Sequence, residues 1–106
     1  MFPQSHRLSR ADVSNVIKSG RVIHTLLFSV RILSVVTPHF KCAFVISKKE
    51  LKLSVDRNMA KRKARMVLRE ISTELSPVYF VVFVKKTILK ADFKEVVDEY
   101  RKVFKA

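Results

Sequence analysis

The stretch DRNMAKRKARMVLRE, residues 56–70, places six of the chain's 22 Lys and Arg residues within fifteen positions. Wound as an α-helix at roughly 100° per residue, it gathers Asn58, Lys61, Arg62, Arg65 and Arg69 into one arc of about 100°. Guanidinium groups grip phosphate oxygens through paired N–H donors, Lys adds point charge, and an amide reaches a sugar hydroxyl or a base edge. The arc has the chemistry to hold a polyanion. A helix kept basic only for solubility would intersperse Glu at i,i+4, whereas Glu70 and Glu74 fall off this arc. Upstream, Ser47, Lys48 and Lys49 end a strand and Lys52 follows, so residues 41–69 carry ten basic and two acidic side chains. Such a surface would track a phosphate backbone, and its chemistry does not separate RNA from DNA.

Other constellations are missing. His6, His24 and His39 are scattered, with no Cys or carboxylate at metal-ligand spacing. One Gly leaves no room for a Gly-rich phosphate loop. Cys42, between apolar neighbours and with no local His partner, reads as a small core hydrophobe. The basic half holds only Asp12, Glu50 and Asp56 as acids, too few to clamp a catalytic metal. The expectation is a binding protein that is not itself the catalyst.

The charge of the whole chain agrees. Its 106 residues carry +13, and residues 1–69 hold 15 basic and 3 acidic side chains against 7 and 6 in residues 70–106. An excess this one-sided costs self-repulsion, which a polyanionic partner relieves. Nucleic acid comes first as that partner and an anionic membrane second. Against the membrane, the apolar stripe of the basic helix is needed for a core, and the helix offers no bulky aromatic to lipid. No run approaches ~20 apolar residues, and the segment 22–36 is broken by His24 and Arg31. The start MFPQSHRLSR lacks the apolar stretch of a signal peptide. A single cysteine excludes an intrachain disulfide and fits a reducing cytoplasm.

Several elements must position these groups. SRADVSNVIKSGR predicts a short helix capped by Ser9 and Asp12, with Val13, Val16 and Ile17 as its apolar stripe and Gly20 as its stop. HTLLFSVRIL alternates, predicting a strand with Leu26, Phe28, Val30 and Ile32 on one side and Ser29 and Arg31 on the other. KCAFVIS predicts a second strand. Ser54 is the expected N-cap of the basic helix, whose core stripe is Ala60, Ala64, Val67, Leu68 and Ile71. VYFVVFV predicts a buried strand, and Phe93, Val96, Val97, Tyr100, Val103 and Phe104 the apolar face of a last helix. The aromatics Phe28, Phe44, Phe80 and Phe83 are expected in the core. With no repeat or linker, residues 1–106 form one α/β domain: helix, two or three strands, helix, strand, helix, around a mixed sheet.

In order along the chain, Arg7–Leu8, Gly20–Arg21, the strand ending in SKK, RNMAKRKAR and YFVVFVKK resemble the protein subunit of bacterial ribonuclease P. The family motif R-N-R-x-K-R-x-x-R is matched by Arg57, Asn58, Lys61, Arg62 and Arg65. Met59 stands in place of its second Arg and Met66 in place of the acid that usually follows Arg65. Val13 and Ile17 stand where Phe is common, and the Gly often found after SKK is missing. The resemblance implies an α+β two-layer sandwich with three helices and a left-handed βαβ crossover. It implies a non-catalytic subunit of an endoribonuclease whose RNA, with Mg2+ bound mainly by that RNA, removes the 5′ leader of precursor tRNA. By the same resemblance, Arg57, Asn58, Lys61, Arg62 and Arg65, with Lys48, Lys49 and Arg69 nearby, would contact the catalytic RNA. Val13, Ile17 and Arg31 would line the cleft for the leader, although Val and Ile cannot stack on bases and are equally explained by packing. No small-molecule substrate and no metal ligand in the protein are expected. The alternative is a stand-alone or ribosome-associated basic RNA-binding protein.

Overall fold

Ser9 opens the first helix as expected: its hydroxyl accepts from the Asp12 amide at 3.2 Å. The computed structural model describes residues 4–105. They form α1 (Arg10–Ser19), β1 (Arg21–His24), β2 (Phe28–Leu33), β3 (Lys41–Val45), α2 (Ser54–Glu70), β4 (Tyr79–Val84) and α3 (Phe93–Lys105), with short 3-10 turns at Gln4–His6, Ser72–Glu74 and Lys86–Lys90. The sheet order is β1-β2-β4-β3, with β1–β2 and β2–β4 antiparallel and β3–β4 parallel. β3, α2 and β4 therefore make a βαβ unit with its two strands adjacent, the unit to which the crossover expectation refers.

Register assigns the two faces. Phe28, Val30 and Ile32 pair with Val84, Val82 and Phe80, and Cys42 and Phe44 with Phe80 and Val82. That face, with Ala60, Ala64, Val67, Leu68, Ile71, Val96, Val97, Tyr100 and Val103, forms the main core. Sheet and the α2–α3 layer make the expected sandwich. Tyr100 locks it: the phenol donates to the Ala64 carbonyl at 2.8 Å while its ring stacks on Phe28 at 4.4 Å. The opposite face carries Ser29, Arg31, Leu33, Tyr79, Val81 and Phe83, and α1 lies across β2 and β4 with Val16 buried. β4 is thus covered on both sides, which is why VYFVVFV is almost continuously apolar.

Four expectations are corrected. HTLLFSVRIL is not one strand; it is a hairpin end, the turn and β2. Thr25 builds the turn, its hydroxyl donating to the Phe28 carbonyl (2.9 Å) and accepting from the Leu27 and Phe28 amides (3.3 and 3.2 Å). Leu26, expected on the core side, sits at the tip and is 81% exposed. Ser54 does not cap α2: Leu53 holds the N-cap position without a side-chain cap. Arg57 reaches back instead, donating to the Leu51 and Lys52 carbonyls at 2.9 and 2.7 Å. Phe93 is half exposed at the start of α3. Gly20 stops α1 as expected, with no left-handed residue, its φ being −74°. It is required for space, because a Cβ there would lie 2.4 Å from the Val16 carbonyl oxygen.

Candidate nucleic-acid interface

The buried stripe Ala60, Ala64, Val67 and Leu68 fixes the rotation of α2. Given that rotation, Asn58, Arg62 and Arg69 are exposed and Lys61 and Arg65 half-buried. Two grooves flank this arc. One, about 460 Å3, is lined by Asn58, Arg62, Arg65 and Met66. The other, about 260 Å3, runs beside β3 and is lined by Arg7, Leu8, Cys42, Ala43, Phe44, Lys61 and Arg65. Arg65 borders both, its side chain steadied by an Nε–H bond to the Lys61 carbonyl at 3.3 Å. No acid lines either groove. Among the described residues the ion pairs are Arg101–Glu74 and Lys102–Glu99, away from the arc. Among the described residues the arc's cations therefore have no ion-pair partner.

Lys48 and Lys49 are exposed in a turn just beyond β3, which ends at Val45, earlier than expected. Ser47 shapes that turn by accepting from the Glu50 amide with its hydroxyl (3.2 Å) and its carbonyl (3.1 Å). Glu50 in turn accepts from the Lys86 amide at 2.8 Å, tying the turn to the segment after β4. Arg57 is half-buried and splits its duty, since one terminal nitrogen holds the entry to α2 and leaves the remaining N–H groups for a ligand.

The α1 face brings the other candidates together only in part. Val13 and Ile17 are half-buried, flanking the buried Val16. Arg31 meets α1 directly, donating to the Ile17 carbonyl at 2.6 Å and lying 5.4 Å from the Phe83 ring centre. Its guanidinium thus closes the end of α1 and stacks on an aromatic face at once. Phe83 is half-buried on this face where the core was expected; Phe28 and Phe80 are buried in the core, and Phe44 packs half-buried against it. Phe83, together with Tyr79 and Lys41 (ammonium 5.8 Å from the Tyr79 ring centre), adds aromatic and cationic groups to this face that the sequence reading missed. The signal for them was the alternation Tyr79, Val81, Phe83 within β4, masked by the apolar residues between.

His6 and His39, distant in sequence, meet at 4.5 Å between ring centres, and each points Nδ1 at the Phe40 carbonyl (2.8 and 3.1 Å). They brace the strand start. Among the described residues no three His, Cys, Asp or Glu side chains stand close enough together to hold a metal ion. Burial pushes the Cys42 thiol up to about 12, with nearby Arg65 opposing, so it stays protonated and poorly nucleophilic. No helix of the described residues is long and apolar enough to cross a membrane.

Comparison with known proteins decides between RNA-binding families. The ribonuclease P family model matches residues 2–106. This chain belongs to the ribonuclease P protein family. It is 30% identical to the ribonuclease P protein component of Pseudanabaena sp., over 97% of this chain and 91% of that one. The match to the Mycoplasma genitalium component is 38% identical but spans 53% of this chain and only 44% of that relative. The fold agrees with the ribonuclease P proteins of Thermotoga maritima (TM-score 0.81, 22% identity, 93% and 94% covered) and Staphylococcus aureus (0.78, 20%, 94% and 93%). As a ribonuclease P protein the chain is a subunit of an endonuclease that processes tRNA 5′ ends, in which RNA carries the catalysis.

Proposed function

We propose that residues 1–106 act as one RNA-binding domain of the holoenzyme, with two surfaces for two RNAs. The α2 arc (Arg57, Asn58, Lys61, Arg62, Arg65, Arg69) and the Lys48–Lys49 turn bind the catalytic RNA. The α1 face, through Val13, Ile17 and Arg31 with Phe83 beside them, takes the single-stranded 5′ leader of precursor tRNA. The observation that carries the first assignment is the acid-free arc held outward by the core stripe of α2. Fixed guanidinium and ammonium groups lower the repulsion between two polyanions brought together. Arg31 adds a preset planar cation backed by an aromatic ring, a surface on which an unpaired base or its phosphate can rest. No protein group is asked to move a proton. Mg2+ would be held by the RNA, because the protein's acids are dispersed. The working compartment is the cytoplasm.

Reconstitution with the host's ribonuclease P RNA tests this reading. At low magnesium the protein should lower the concentration of precursor tRNA needed for cleavage, and the scissile bond should stay at the mature 5′ end. Protein freed of RNA should not cleave. Binding to unrelated structured RNA with equal affinity and no effect on cleavage would favour the stand-alone RNA-binding reading.

A further inference from the structure

Met59 and Met66, the two outward departures from the family motif, lie beside the arc and are 54% and 59% exposed. They do not point into empty solvent. With Val67, Leu89 and Phe93 they line a groove of about 450 Å3 between α2 and the start of α3, edged by Arg62 and Lys63. Phe93 is 52% exposed, an unusual position for an aromatic at the head of a helix whose apolar face is otherwise buried. The groove is braced: the Lys63 ammonium donates to the Ala91 carbonyl and lies 3.5 Å from that of Leu89, so α2 and the α3 approach are held together.

The occupant follows from what borders the groove. Arg62 and Met66 line both this apolar groove and the polar one containing Asn58 and Arg65. A ligand spanning the two meets cations and an amide on one side, thioethers and a phenyl ring on the other. No acid edges either groove, and a chain of +13 repels its own copy. A flat, polarisable ring attached to a phosphate fits both halves.

We propose that the Met59–Met66–Phe93 groove is a base-binding subsite that receives an unpaired nucleobase of the catalytic RNA, whose adjoining phosphate sits on Arg62. The inference rests on the RNA-binding assignment of the α2 arc. Thioethers pack well against ring edges and faces, and phenyl rings stack on any base. Where the family motif has an Arg this chain has Met59, exchanging a salt-sensitive contact for a salt-insensitive one, and Met66 stands where an acid would repel the adjoining phosphate. The subsite takes only an extruded base, since a base within a duplex shows no free face.

The chain has no Trp, so Phe93→Trp installs a single indole reporter in the groove. Titration with the host's ribonuclease P RNA should quench its emission, with saturation at the binding stoichiometry. Phe93→Ala should weaken that RNA roughly tenfold, a factor within the range of one base–aromatic stack, while leaving the slope of log affinity against log salt unchanged. Met59→Gln, which keeps the helix propensity of α2, should weaken binding in the same slope-neutral way. Arg65→Ala serves as the control for the underlying assignment: it should lower the slope by about one. Unquenched indole emission together with unchanged affinity of Phe93→Ala and Met59→Gln overturns the base subsite even if Arg65→Ala behaves as expected. If Arg65→Ala alters neither affinity nor slope, the arc assignment fails instead. A concentration-dependent dimer in sedimentation, abolished by Phe93→Ala without loss of RNA affinity, would assign the groove to a second copy and overturn the proposal.

Discussion

Arg31 and Arg65 are both half-buried arginines with a backbone carbonyl as partner, yet their surroundings give them different work. Arg65 stands between two acid-free grooves on α2. Arg65→Ala should leave the fold intact and weaken assembly with the catalytic RNA by roughly 1–3 kcal/mol, the usual scale for hydrogen bonds to a charged group. Arg31 joins α1 to the sheet through Ile17 and Phe83. Arg31→Ala should therefore lower thermal stability measurably, spare assembly, and weaken only substrates that carry a leader. Comparing both variants against the RNA and against substrates with and without a leader separates the surfaces; equal harm to assembly from both contradicts the division. Cys42 offers a test of burial. In the unfolded chain its thiol titrates near 9.0, while in the native fold burial holds it protonated up to about 12. The unfolded state thus binds fewer protons between these values, and stability, full below the lower one, falls as pH rises by up to about 1.4 kcal/mol per unit. Urea unfolding from pH 8 to 11 should show that fall, and the profile of Cys42→Ala should be correspondingly flatter. Parallel profiles would contradict a protonated native thiol.

The elements that carry these residues are positioned by a few specific contacts. Tyr100 joins α3 to α2 with one buried bond to the Ala64 carbonyl. Tyr100→Phe keeps the ring stack on Phe28 and removes only that bond, so it should cost about 1 kcal/mol in denaturant unfolding and little RNA affinity at a temperature where the variant is folded. Gly20 lets the end of α1 approach the sheet closely enough for Arg31 to reach Ile17. Gly20→Ala should destabilise by about 1–3 kcal/mol through overpacking and reduce leader affinity together with stability. If Gly20→Ala unfolds at the wild-type temperature, the close approach is not required. The β1–β2 turn shows why element boundaries were hard to see. Thr25 supplies by its hydroxyl what Gly or Asn usually supplies, and Lys85 and Thr87 donate to the Thr25 and Leu26 carbonyls at 2.7 and 2.6 Å. Those partners are sixty residues downstream, so no local signal marked the break.

Across the molecule, the excess of cations is concentrated on α2 and its approach, while α3 shows solvent a mixed surface including Glu95, Asp98 and Glu99. Association with the catalytic RNA should thus be strongly ionic, with log affinity falling linearly against log salt at a slope steeper than about −3 for five or so phosphate contacts. A flat dependence would reduce the arc to a solvated face. Much of this was legible in the chain before folding. Helical spacing placed Ala60, Ala64, Val67 and Leu68 inside and Asn58, Arg62 and Arg69 outside, because a helix's faces follow from its own period. Two-residue alternation likewise placed Phe28, Val30 and Ile32 in the core. Tertiary structure settled what depends on contacts remote in sequence: the Thr25 turn, the entry to α2 held by Arg57 with no side-chain cap where Ser54 was expected, Phe83 lying beside Arg31 and not in the main core, and Phe93 left facing Met59 and Met66. Local periodicity assigns a side chain to a face, but which neighbour covers that face is set by chain segments that periodicity does not relate.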